Sequence, residues 1–188
     1  MKTIRQLLLL AVVLGATATA NAAGKSSGFM LNLVPSYETT ELTSSGTTVK
    51  STQMTADFTL GYLLDAGVLL GVAYQMDNTT NDPGGSTNNI SAYGPAVGYY
   101  HDMGFFILGS YLLSWSQKVS SSDTTYTGDG IEVDVGYIYR FGTFGLGAEL
   151  VYKTVNIKKQ KDAAGVESDL SNKAAITGLP RVVFNWVF

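Results

Sequence analysis

The 188-residue chain has no cysteine, a single histidine (His101), four prolines and only 14% charged residues. Without cysteine there can be no disulfide, no thiol nucleophile and no thiolate metal site. The charged fraction falls well below the ~25% of ordinary soluble domains, while 45% of the residues are apolar. Part of the surface is therefore expected to meet something other than water. A net charge of −3 gives no electrostatic footprint for nucleic acid, so no nucleic-acid partner is expected. Beyond the first 23 residues no apolar run approaches the roughly 20 residues that a membrane-spanning helix needs.

Residues 1–23 combine a basic start (Lys2, Arg5), an apolar stretch from Leu7 to Gly15 and a small-residue exit from Ala18 to Ala23. This pattern reads as a cleaved secretory signal peptide. Residues 24–188 are then expected to form one domain. They divide into eight alternating segments, at about 28–39, 50–63, 67–77, 90–101, 104–117, 129–141, 143–157 and 173–188. Each exceeds the ~9 to 11 residues with which a tilted strand crosses a bilayer. The connectors alternate in kind. Short turns at Leu64–Ala66, His101–Gly104 and Phe141–Thr143 alternate with long polar loops at Thr40–Val49, Asn78–Asn89, Lys118–Gly128 and Lys158–Asn172, of which Asn78–Asn89 reads as a mobile tip. Pro35, Pro95 and Pro180 fall inside segments, where they must sit at bulges or at ladder ends because proline donates no ladder hydrogen bond.

The period of two assigns faces. Rows such as Phe29-Leu31-Leu33-Pro35-Tyr37 and Ile107-Gly109-Tyr111-Leu113-Trp115 carry no charge and point to lipid. The last row, Val182-Phe184-Trp186-Phe188, finishes on an aromatic residue. Aromatics gather at the row ends, with Tyr62, Tyr99 and Tyr139 at the short-turn end and Tyr37, Tyr74, Tyr93, Trp115 and Tyr152 at the other. Two interfacial girdles are expected. The opposite rows hold Glu38, Asp57, Glu132, Asp134, Arg140, Glu149, Lys153 and Arg181. An eight-stranded barrel has room inside for side chains only, so these charges should pair with one another. Hairpin arithmetic places Glu132 opposite Lys153 and Glu149 opposite Arg181.

No nucleophile elbow, phosphate loop or metal-ligand spacing is present, and His101 falls in a turn. The expectation is a protein that is not an enzyme, with no cofactor and no metal; the loop carboxylates Asp77, Asp82, Asp123 and Asp129 are too scattered to converge on a cation. The segments, the connector asymmetry and terminal Phe188 together make the chain resemble the small outer-membrane barrels of the OmpX, Ail and opacity type and the membrane domain of OmpA. The resemblance implies an all-β, eight-stranded, antiparallel up-and-down transmembrane barrel in a bacterial outer membrane, with both termini periplasmic and the long loops extracellular. It also implies a monomer with outer-membrane lipid and lipopolysaccharide around it, and recognition of the Phe184, Trp186, Phe188 row by the barrel-assembly machinery. Surface loops would then serve structural, adhesion or interaction roles. The alternative is a narrow pore, or an OmpW-like conduit for small hydrophobic molecules.

Overall fold

Alternation along each segment, closed by Gly- or Asp-bearing turns, builds a chain of antiparallel hairpins. The computed structural model describes residues 27–44, 47–83, 85–178 and 180–188; the expected signal peptide lies outside them. Nine strands follow in order: β1 (Gly28–Ser44), β2 (Thr47–Leu63), β3 (Val68–Asp82), β4 (Ser86–Tyr100), β5 (Phe105–Val119), β6 (Thr124–Phe141), β7 (Phe144–Lys161), β8 (Glu167–Thr177) and β9 (Arg181–Val187). Sequence neighbours pair from β1 through β7, and β9 lies between β7 and β1, which closes a ring of eight strands. β8 continues the line of β9 on β7 beyond a break at 178–180, so the expected eighth segment is one stave in two pieces. No helix occurs among the described residues.

The short-turn ends of the strands fall within about a residue of the expected positions, but the far ends do not. Residues expected to be loops are laddered: Leu42–Ser44 pairs with Thr47–Val49, Asn78–Asn81 with Ser86–Asn89, and Lys159–Lys161 with Glu167–Asp169. These Ser, Thr and Asn runs continue the ladder because their side chains bond across it. Asn78 donates to Asn89, and Asn81 donates to Ser86 Oγ at 3.3 Å. The polar hairpins therefore extend the wall well above its apolar zone.

Each interior proline occupies a position where no donor is needed. Pro95 falls in a register shift of the β4–β5 ladder between Tyr93 and Ala96. Gly94 sits there too, and a Cβ on it would collide with the Tyr111 carbonyl. Pro35 lies just beyond Leu33↔Phe184, the last pair between β1 and β9. Phe188 N donates to Phe29 O at 2.8 Å, so the odd residues of β1 turn their backbone groups toward β9, and Pro35 has no N–H to offer on that side. Pro180 stands at the same fork, immediately before β9.

Outward rows follow the expected parity, with Phe29, Leu60, Leu70, Val97, Ile107, Ile131 and Leu150 exposed. Trp115 is the exception: it was expected on the outward row and in the outer girdle, yet it is buried at 5% exposure. The β5–β6 ladder shifts register between Leu112 and Trp115. One extra residue in β5 inverts the facing of everything beyond it. Glu38 is also displaced from expectation, being exposed above the fork and not enclosed in the interior.

Candidate functional site

The interior is stacked in three levels. At the short-turn end Met30, Leu63, Leu69, Phe106, Ile138 and Val183 form the centre of a dry plug. Tyr100 stacks on Phe106 with ring centroids 5.1 Å apart and planes at 7°. Its hydroxyl accepts from Asn32 Nδ2, and Asn32 Oδ1 in turn accepts from Asn185. Toward the far end a second apolar group, Ala92, Leu112, Trp115 and Val155, packs against Ile90, Tyr126 and Ile157.

Between these levels lies a belt of charge. Arg181 opens β9 directly after Pro180, and its register opposite Glu149 is the expected one. Its Nη2 donates to Glu149 Oε1 at 2.7 Å and its Nε to the same oxygen at 3.2 Å, while Nη1 binds Asp57. Asp134 Oδ1 is 3.9 Å from Nη2, close enough for attraction but not for a hydrogen bond. Lys153 pairs with Glu132 at 3.5 Å, again in the expected register, and donates to Gln75 Oε1 at 2.7 Å. Gln75 in turn donates to Glu132. Six of the eight expected interior charges thus meet; Glu38 is exposed. Arg140 does not join them: it pairs in register with Gly145, six residues from Asp134 toward the short-turn end, or roughly 20 Å along the strand.

The belt holds four carboxylates (Asp57, Glu132, Asp134, Glu149) and two cations (Lys153, Arg181), an excess of two negative charges when all are ionised. Each carboxylate residue is less than 9% exposed. Asp57 Oδ1, Asp134 Oδ1 and Glu132 Oε2 accept no hydrogen bond from the described residues, and the belt surrounds a cavity of about 10 Å³, room for one water. Enclosed charges in such an arrangement tie the wall strands together.

Outside the belt, three of the four loop carboxylates are engaged, each with a different partner. Asp77 accepts from Gln53 at 2.6 Å, Asp123 pairs with Lys118 at 3.0 Å, and Asp129 pairs with Lys158 at 3.0 Å. Asp129 stands two residues beyond the last outward aromatic level, where the Tyr111 hydroxyl and then Lys158 hold its carboxyl below the ordinary range. Among the described residues no group of three or more His, Cys, Asp or Glu side chains could hold a metal ion. His101 is exposed, and its Nδ1 accepts from Met103 N at 3.1 Å within the turn.

Phe184 and Trp186 lie on the outer wall with Phe144, whose centroid is 5.3 Å from that of Trp186, and Phe188 ends the row exposed. Sequence reasoning missed Tyr100, Ser110 and Thr59, all of which line the interior. Their signal was their parity with Phe106, Leu108 and Asp57, hidden because none of the three is charged or distinctly apolar. No family model matches the chain, and no curated protein matches it.

Proposed function

We propose that this chain is an integral outer-membrane barrel, of the small OmpX and Ail type it resembles, that works without catalysis and presents polar β-hairpins beyond the membrane. The observation that carries the reading is the inversion of ordinary solubility. A ring of exposed apolar side chains without charge wraps the wall, with Tyr62 and Tyr99 near one margin and Tyr37, Tyr74, Tyr93 and Tyr152 near the other, while the charges are enclosed. In water this arrangement would leave a continuous apolar surface far larger than the few hundred Å² that soluble monomers tolerate. In a bilayer it satisfies both faces, and a closed ring satisfies the backbone.

On this reading the short turns and both ends of the ring are periplasmic, the laddered hairpins are extracellular, lipid and lipopolysaccharide surround the wall, and the Phe184, Trp186, Phe188 row serves recognition during assembly. The dry plug and the paired belt favour a lumen that does not conduct, so adhesion or interaction through the hairpins is preferred to transport. The test is to refold the mature chain into lipid vesicles and measure three things. Expected are slower or faster migration on unheated than on heated SDS gels, protection of the wall from protease, and no discrete currents in a planar bilayer. A protein that stays in the aqueous phase would remove the membrane reading; discrete currents from folded protein would remove the plugged lumen and restore the pore.

A further inference from the structure

The ring closes only up to Leu33↔Phe184. Beyond that pair, β1 from Pro35 to Ser44 is laddered to β2 alone, and β8 from Glu167 to Thr177 to β7 alone. Two backbone edges of ten and eleven residues therefore face the same gap, most of their length beyond Tyr37. Proteins usually blunt such edges with lysine, proline or a bulge. β1 has none of these above Pro35: its ladder with β2 runs unbroken from Gly28 to Ser44, and it contains no Lys or Arg, whereas β8 carries Lys173 and one extra residue between Asp169 and Asn172.

We propose that this open seam is an interface for a second copy of the same chain. The two hairpins that carry these edges differ in charge in a way that suits each other. Beyond Tyr37 the hairpin of β1 and β2 carries Glu38 and Glu41 against Lys50, a net −1, whereas the hairpin of β7 and β8 beyond Lys153 carries Lys158, Lys159, Lys161 and Lys173 against Asp162, Glu167 and Asp169, a net +1. Lys158 and Lys159 are already paired, with Asp129 and Glu167, but Lys161 and Lys173 have no ion-pair partner among the described residues. Geometry supplies the second argument. The proposal rests on the membrane reading for one point, that both copies stand upright. A two-fold axis along the membrane normal then sets β1 of each copy against β8 of the other, running antiparallel as a ladder requires. Both edges are satisfied at once, and the symmetry closes, so the assembly stops at two.

The chain has no native cysteine, so disulfide trapping is clean. Thr39 and the residues Lys173 and Ala175 have the outward parity on their strands. Thr39→Cys protein is mixed in one vesicle preparation with Lys173→Cys or Ala175→Cys protein and oxidised. Vesicle insertion is checked separately by protease protection, so that failure to enter the membrane is not mistaken for failure to pair. The expected result is a disulfide-linked dimer from at least one mixture, well above that from Val97→Cys on the far wall. Thr39→Pro removes a seam-facing N–H in each copy without touching the β2 ladder. Placed in the cysteine-bearing β8 partner and in a Thr43→Cys version of the β1 partner, it should cut trapping about tenfold. A monomeric internal disulfide in a chain carrying both cysteines, with no dimer in the mixtures, would mean the seam closes on itself and would overturn the proposal. So would trapping no greater than at Val97, or no trapping at all from inserted protein.

Discussion

Replacing Arg181 by methionine keeps most of the side-chain volume but removes the cation that holds three carboxylates. Arg181 binds Asp57 and Glu149 directly and attracts Asp134 from 3.9 Å. The wild-type belt has four carboxylates and two cations, an excess of two; without Arg181 the excess is three, in a site where each acid is under 9% exposed. Removing one partner of a buried pair costs about 3–5 kcal/mol, because the other charges stay buried without compensation. Asp134→Asn should act in the opposite direction. Asp134 has the weakest attachment in the belt, and one of its oxygens has no donor, so loss of its charge relieves repulsion more than it loses attraction. A gain of about 1 kcal/mol is expected. Both are measured as urea unfolding of vesicle-refolded protein, followed by tryptophan fluorescence, with reversibility checked from both directions. If Arg181→Met unfolds within about 1 kcal/mol of wild type, or if Asp134→Asn is as damaging as Arg181→Met, the belt is not the enclosed, over-acidic cluster described above.

The facing of the two tryptophans separates the observed register from the uniform one expected from periodicity. Brominated lipid should quench Trp115→Phe protein, which keeps Trp186 on the wall, and should leave Trp186→Phe protein, which keeps the buried Trp115, nearly unquenched; equal quenching would place Trp115 outside. Gly94→Ala should cost about 2–4 kcal/mol in the same urea assay, because the added Cβ meets the Tyr111 carbonyl at the bulge, whereas Gly109→Ala, whose Cβ would meet the Val97 carbonyl at an ordinary contact distance of 3.8 Å, should cost under about 1 kcal/mol. Shortening the β3–β4 hairpin by deleting Thr80–Thr87 and bridging with Asn-Gly should leave the heat-dependent gel shift intact, since these residues lie beyond the apolar wall; loss of the shift would show that the hairpin helps hold the barrel closed.

How far the sequence could be read depended on whether a feature obeys a period. Facing, hairpin partners and the Glu132–Lys153 and Glu149–Arg181 registers are all arithmetic on a period of two counted from tight turns, and they came out as counted. A bulge breaks the count without leaving a residue-type signal of its own. Trp115 lies beyond an extra residue in β5, and nothing in Leu113-Ser114 announces it. The laddered hairpins were hidden for another reason. Runs of Ser, Thr and Asn read equally as solvated loop or as strand beyond the apolar wall, and the choice is made by cross-strand bonds such as Asn78 to Asn89, which need the partner strand in place. The prolines turn this around. Alone, each argued against its segment; together, Pro35 and Pro180 mark from both sides the point where β1 and the final stave part, and Pro95 marks the bulge beside Gly94. Proline is tolerated where the ladder has no bond to make, so a proline inside an alternating segment locates a break in pairing more sharply than it refutes the strand. The same inference makes the seam a property of the sequence: a β1 edge that begins with a residue unable to donate is built to separate from β9 at that level.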